Sequence, residues 1–224
     1  MATATRFVFL MHPKEWKQEK AATGRLTHLC LANSELLCGI EFDRHERVQA
    51  LIADARNHCV LLYPGRTATN LSPPDPATLA NFQAALAGRQ LVVFLLDATW
   101  ALGRKMLRLN PALQRLPRIM FTPAQPSRYV IKQQPHAGCL STLEATHELL
   151  GALAHARLDA YPDPAQLLRI FDRMQQFHLD CAADRTRPGY RRGAYKTPSE
   201  RVRVHGRSGA RRANVFQLPA PVVD

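Results

Sequence analysis

Leu91-Val-Val-Phe-Leu-Leu96-Asp97-Ala-Thr-Trp100 is the stretch whose reading decides the fold. Its first six residues are apolar without alternation, as expected for a central strand covered on both faces. A carboxylate follows directly, and then a basic helical pattern that reaches Leu109. A buried strand that passes at once into a helix belongs to an α/β sheet. Ligands of such sheets gather beyond the carboxyl ends of the strands.

Working outward, Arg6–Met11 is a second buried run, ended after His12 by Pro13, and Cys59–Tyr63 is a third, stopped by Pro64-Gly65. Leu36–Ile40, Arg118–Phe121 and Tyr129–Ile131 read as further short strands. Lys14–Lys20 is charged and surface-like, and Thr23–Arg25 reads as a turn leading into the apolar Leu26–Leu31. Asp43 is placed to cap a helix that carries Val48, Leu51 and Ile52 on one face and ends near Asn57. Thr67–Pro76 is loop, and helices are expected over Ala77–Leu86, Ser141–Ala156 and Pro164–Leu179. Strands alternating with helices imply an α/β fold with a largely parallel sheet.

The chain of 224 residues is 46% hydrophobic and 21% charged, enough for one sizeable core and too apolar for gross disorder. No apolar run approaches the roughly 18–20 residues that cross a bilayer, and Arg6–Met11 is too short for a secretory segment. A soluble protein is expected. The net charge of +12 is uneven. Between Arg185 and Arg212 ten Arg or Lys residues face one acid, Glu200, a net +9 that leaves +3 for the other 196 residues. Such a tail fits a polyanion, since Lys and Arg displace counterions from phosphates. It also fits a merely solubilising extension. The division expected is therefore a folded body over 1–183 and a basic tail of poor periodicity over 184–224.

Cys30, Cys38, Cys59, Cys139 and Cys181 are widely spaced, without a C-x-x-C, so no ribbon-type zinc site is expected, and reduced thiols in the cytoplasm are the simplest account. Glycine-rich phosphate loops, G-x-S-x-G and H-E-x-x-H are missing, which removes support for nucleotide-loop, serine-hydrolase and zinc-protease readings. Glu144-Ala-Thr-His147 has a metal-ligand spacing, but facing carboxylates to complete a di-metal site are not evident, and no metal is expected.

Three segments place chemistry at strand ends or a helix start: Tyr63-Pro64, Asp97–Trp100 and Cys139–Glu144. Asp97 is either a helix cap or a functional acid in a cleft. Ser141-Thr-Leu-Glu144 fits a capping box, and the same amides can receive a ligand. Arg104, Lys105 and Arg108 lie on the helix opened by Asp97, either as a solvated face or as phosphate contacts; Arg128, Tyr129 and Lys132 mix charge with an aromatic, as RNA surfaces do.

Taken together, these residues resemble the DTW-domain family. Asp97-Ala-Thr-Trp100-Ala-Leu-Gly-Arg104-Lys105-Met106 is similar to its D-x-T-W…A-R-K-M signature. His12-Pro-Lys-Glu15, Thr23-Gly-Arg-Leu26, Leu61-Leu-Tyr-Pro64 and Tyr129-Val-Ile-Lys132 with Cys139-Leu-Ser-Thr-Leu-Glu144-Ala145 are similar to four further elements, in order. Many relatives also carry a cysteine-rich zinc element before the first strand, which this sequence does not include.

The resemblance implies a SPOUT-like, trefoil-knotted sheet and an S-adenosylmethionine-dependent transferase. Its reaction moves the 3-amino-3-carboxypropyl group onto N3 of a tRNA uridine and releases methylthioadenosine. Asp97, Thr99 and Trp100 are the implied catalytic residues, with Asp97 either the base or the anchor of the donor's ammonium. Tyr63, Pro64, Leu95, Leu96, Asp97, Cys139, Leu140, Ser141, Thr142 and Glu144 are expected around S-adenosylmethionine. Arg25, Arg104, Lys105, Arg128, Lys132, Arg187, Arg191 and Arg192 are expected to meet tRNA phosphates. A monomer without membrane contact is the expected state. The alternatives are a SPOUT-class RNA methyltransferase and a non-catalytic RNA-binding protein.

Overall fold

The computed structural model describes residues 1–18, 22–132, 138–184 and 186. The expected basic tail, with Arg187, Arg191 and Arg192, lies outside the described residues apart from Asp184 and Thr186. The element order is β1 (Arg6–Met11), α1 (Pro13–Gln18), α2 (Thr23–Cys30), β2 (Ser34–Cys38), α3 (Glu46–Ala53), β3 (Asn57–Leu62), β4 (Thr69–Asn70), α4 (Pro76–Leu86), β5 (Gln90–Asp97), α5 (Trp100–Leu109), α6 (Pro111–Arg115), β6 (Arg118–Met120), α7 (Thr142–His155) and α8 (Ala165–Ala183).

The strands form one six-stranded sheet in the order β2-β1-β5-β3-β6-β4, and every pairing in it is parallel. β5 is central, paired to β1 on one side and β3 on the other. The all-apolar run is explained by two cores. Val93 and Leu95 face a cluster with Phe7, Phe9, Leu149, Leu153 and Phe171. Val92 and Phe94 face the opposite one with Val8, Leu10, Val48, Met106 and Leu113. Alternate residues of β5 thus enter water-free layers on both faces, which removes the need for a polar side chain between Leu91 and Leu96.

Several expectations change. Thr23–Arg25 is the first turn of α2 and not a connecting turn, and Pro13–Gln18 is helical. Asp43 does not cap α3, whose N-cap residue is His45. Its carboxylate instead accepts from Ala112 N at 3.1 Å, at the start of α6. The loop 67–76 contains the two-residue strand β4. Tyr129–Ile131 is not a strand. Its backbone donors are taken by side chains: Tyr129 N donates to Ser127 Oγ at 3.2 Å and Val130 N to Gln175 Oε1 at 2.7 Å. Tyr129 also packs edge-on against Phe171 of α8, with ring centroids 5.1 Å apart. No described helix is long and apolar enough to cross a membrane.

One polar hub ties the α5–α6 corner to the loop before α3. Asn110, fully buried, donates to Ile40 O at 2.8 Å and Met106 O at 2.6 Å, and its Oδ1 accepts from Phe42 N and Asp43 N. That hub sets the path of the chain after β5, and therefore the direction in which Trp100 enters the sheet's carboxyl edge.

Candidate active site

A pocket opens beyond the carboxyl ends of β3, β5 and β6 and is closed by the start of α7. Leu62, Leu95, Leu96, Met120, Phe121 and Leu140 give it apolar walls. Tyr63 and Trp100 add an aromatic flank, with ring centroids 6.4 Å apart and planes tilted by 56°. The Arg118 guanidinium sits 5.5 Å from the Tyr63 ring centroid. Burial pushes the Tyr63 hydroxyl above its ordinary pKa, against the opposing pull of Arg104 and Arg118.

Asp97 ends β5 beside this pocket. It is buried, and its backbone carbonyl accepts from His12 N at 3.0 Å, fastening the first helix segment to the central strand. Thr142, whose side chain also lines the pocket, donates from Oγ1 to Asp97 Oδ1 at 2.6 Å. The other oxygen, Oδ2, is buried without a hydrogen-bond partner. Loss of hydration is the main influence on this group and raises its pKa to about 6. Glu15 pushes the same way, while the Thr142 hydrogen bond, Lys132 and Arg25 act against it.

Glu15, Arg25 and Lys132 gather on the side of Asp97 that faces α1 and α2. Lys132 Nζ lies 3.3 Å from Glu15 Oε2, and Glu15 itself is buried. Arg25 lies over the Trp16 ring, 4.4 Å from its centroid, and donates from Nη2 to Trp16 O at 3.1 Å. Its Nε is buried and has no acceptor. Gly24 lets Asp97 stand here, because a Cβ at that position would lie 2.2 Å from Oδ2.

The start of α7 is held by a complete capping box. Ser141 Oγ accepts from Glu144 N at 3.3 Å, and Glu144 accepts from Ser141 N at 2.9 Å. The same carboxylate accepts from Ser127 Oγ at 2.9 Å and from Arg128 N at 2.6 Å. Glu144 is therefore engaged in holding the 127–144 connection, and His147 Nδ1 is 2.9 Å from the Tyr161 hydroxyl, so the E-x-x-H pair faces two different partners. Among the described residues no group of three His, Cys, Asp or Glu side chains could hold a metal ion.

Of the residues singled out in the sequence, Tyr63, Pro64, Leu95, Leu96, Thr99, Trp100, Leu140 and Thr142 line the pocket. Asp97, Ser141, Cys139 and Glu144 stand behind its wall and are buried. Thr99 caps α5, accepting from Leu102 N at 3.4 Å. Arg104 is half-buried and Lys105 exposed on α5. Arg128 is paired with Asp172 at 2.8 Å, and Arg25 and Lys132 belong to the cluster around Asp97. Sequence reasoning missed Met120 and Phe121 as walls, although the end of β6 was the signal. It also missed Glu15 and Gly24, which carried a signal only as parts of their tetrapeptides.

A protein-family model described as the DTW domain matches residues 1–179. Among curated proteins, the chain is 29% identical over 188 residues to tRNA-uridine aminocarboxypropyltransferase 2 of Drosophila melanogaster, covering 81% of this chain and 68% of that protein. It is 29% identical over 159 residues to the Mus musculus protein of the same name, covering 67% of this chain and 48% of the relative. For the Macaca fascicularis protein of that name the identity is 25% over 158 residues, with the same shares. The chain thus spans about half the length of its two mammalian relatives. No solved structure matches it.

Proposed function

The chain belongs to the DTW-domain family, and from that premise we propose that it transfers the 3-amino-3-carboxypropyl group of S-adenosylmethionine to N3 of a uridine in tRNA, releasing methylthioadenosine. The observation that carries this reading is the position of Asp97. One of its oxygens is bonded to Thr142 of an apolar, aromatic-flanked pocket, and the other is buried without a partner beside a charged cluster.

The residues present fit the donor. Its adenosine part has no phosphate, and the pocket offers apolar walls, two aromatic rings and the main chain that follows three strands, with no glycine-rich anion loop. Its amino-acid part is charged, and Asp97 Oδ2 and Arg25 Nε are buried polar atoms without a hydrogen-bond partner among the described residues, the Arg25 charge acting on Asp97. When bound, S-adenosylmethionine supplies a sulfonium that makes its attached carbons electrophilic. Tyr63 and Trp100 flank the adenosine part, and Thr142 fixes the rotamer of Asp97. Asp97 serves as the base that accepts the proton of uridine N3. At a pKa of about 6 it is a stronger base than an ordinary aspartate and still mostly ionised at neutral pH. Which carbon is attacked depends on pose alone, so the residues that hold the amino-acid arm decide the product.

The knotted SPOUT arrangement belongs to the same reading, supported by the all-parallel sheet and by a pocket built from segments that follow β3, β5 and β6. Arg104 and Lys105, beside Trp100 on α5, and the basic stretch after Asp184 are assigned to tRNA phosphates on charge and position. A monomer in the cytoplasm is part of the proposal; its cytoplasmic part draws on five cysteines that are all free thiols.

Nucleoside mass spectrometry of tRNA after incubation with donor labelled in either the arm or the methyl group tests the reading. Arm label on uridine with methylthioadenosine as co-product is expected, and Asp97→Asn is expected to lower the rate by roughly 10²–10⁴-fold. Methyl label on RNA with S-adenosylhomocysteine would make the protein a methyltransferase. RNA binding without either label would leave a non-catalytic binder.

A further inference from the structure

We propose that Glu15, Arg25 and Lys132 form the seat of the donor's amino-acid arm, with Arg25 and Lys132 taking its carboxylate and Glu15 its ammonium. The proposal rests on the reading of the neighbouring pocket as the adenosine site, and assigns Arg25 and Lys132 to the small molecule in place of tRNA phosphates.

Three segments distant in sequence bring these side chains together: α1, α2 and the stretch that ends at Lys132. Glu15 is buried and meets Lys132 at 3.3 Å. Holding the Glu15 carboxylate out of water is costly, and a lysine whose side chain stays 37% exposed offsets only part of that cost. Arg25 adds a second cation whose plane is fixed by Trp16, at 4.4 Å from the ring centroid and with Nη2 on the Trp16 carbonyl. That anchoring leaves Nε buried and unpaired. The Nε edge of a guanidinium is half of the fork that takes a carboxylate through two parallel hydrogen bonds. A buried donor without an acceptor is costly, and an arriving carboxylate removes that cost.

The charges match the ligand in kind. An α-amino acid group is a zwitterion, so its seat needs anion and cation side by side. Glu15 and Asp97 supply two negative charges, and Arg25 and Lys132 supply two positive ones. The cluster adjoins the pocket through Asp97, which Thr142 of the pocket lining holds at 2.6 Å and whose ionisation Glu15, Arg25 and Lys132 all influence. Gly24 makes room for Asp97 at the edge of the cluster, since any side chain there would enter the space of its carboxylate.

Calorimetric titration of the full chain with S-adenosylmethionine, S-adenosylhomocysteine and methylthioadenosine tests the assignment. The first two ligands carry the arm, and the third lacks it. Arg25→Gln and Lys132→Met are each expected to weaken the two arm-bearing ligands at least tenfold while methylthioadenosine changes less than twofold. Equal loss for all three ligands, or no loss for any, overturns the proposal, because the side chains then serve the fold or nothing at the pocket. Retained binding of methylthioadenosine certifies that each variant is folded. Weakened tRNA binding with unchanged donor affinity also overturns it, returning both residues to phosphates. Failure of the wild-type chain to bind any of the three ligands removes the adenosine reading itself and the proposal with it.

Discussion

The carboxylate of Asp97 lies against the backbone of Gly24 so closely that a methyl group on that glycine would meet Oδ2 at 2.2 Å and Cγ at 2.4 Å. Asp97 cannot swing clear without giving up its 2.6 Å hydrogen bond to Thr142. The absence of a side chain at residue 24 is thus a condition for the position of the acid at the end of the central strand. The helix tolerates the glycine although it weakens its first turn.

Gly24→Ala is expected to displace Asp97 and to destabilise the fold by about 1–3 kcal/mol, the range for an overpacked interior. For a chain of this length the melting temperature falls by roughly 2–4 °C per kcal/mol. Gly151→Ala is the control, since a Cβ on that residue of α7 meets nothing within 4 Å and should be neutral or stabilising. Thermal unfolding of both variants checks the pair. Equal melting temperatures would show that the close approach is not the constraint described.

Asp97 ties stability to pH in a direction opposite to that of an ion-paired carboxylate. Burial raises its pKa from the ordinary 3.8 to about 6. Between those values the folded chain holds a proton that the unfolded chain has lost. The stability due to this group is therefore fully present below pH about 4 and is lost as the pH rises through about 6. The loss is on the order of 3 kcal/mol at about 1.4 kcal/mol per pKa unit. Urea unfolding of the wild type and Asp97→Asn between pH 4 and 7.5, at constant ionic strength, reads it as a wild-type stability that falls relative to the non-titrating variant as the pH rises. If Asp97 is the base, as proposed, transfer activity should run the other way, climbing through pH 6 as it ionises.

Much of this was legible in the sequence, for identifiable reasons. The run from Leu91 to Leu96 announced a central strand because both of its faces are covered, and the S-x-x-E at Ser141–Glu144 announced a helix start that the structure has with both hydrogen bonds formed. Local patterns of this kind carry their own physics. Tyr129–Ile131 failed as a strand because its backbone donors are claimed by Ser127, two residues away, and by Gln175, 45 residues away, a contact that no local window contains. Gly24 was mistaken for a turn residue because glycine also serves close approach, and the approaching atom comes from residue 97. The association of Glu15 with Lys132 spans 117 positions and could not be read from spacing at all.

Glu144 supplies another measurable consequence. Its carboxylate accepts from Ser127 Oγ, Arg128 N and Ser141 N. Glu144→Gln keeps one acceptor oxygen but turns an amide donor toward groups that are themselves donors. A cost of about 1–3 kcal/mol is expected, against about 1 kcal/mol for Ser141→Ala, which removes only the cap. Denaturant unfolding gives the order of the two variants. The reverse order would mean that the cap outweighs the anchoring of the 127–128 segment.

On the proposed reading, Trp100 serves recognition of the adenosine part and Asp97 the chemistry beside it. Its ring and that of Tyr63 form the aromatic flank of the pocket at 6.4 Å, while Asp97 reaches the site through Thr142. Loss of an aromatic contact of this kind costs about 1–3 kcal/mol by analogy with base stacking on protein rings. Trp100→Ala is therefore expected to weaken methylthioadenosine binding by roughly 5–150-fold. Trp100→Phe should recover most of that loss, because a phenyl ring keeps the face and gives up only area. Asp97→Asn, in contrast, should leave methylthioadenosine affinity within about twofold, since the carboxylate does not line the adenosine pocket. Fluorescence or calorimetric titration of the three variants with methylthioadenosine distinguishes the roles. A Trp100→Ala chain that binds as tightly as the wild type would detach the indole from the ligand and leave it as a wall of the fold.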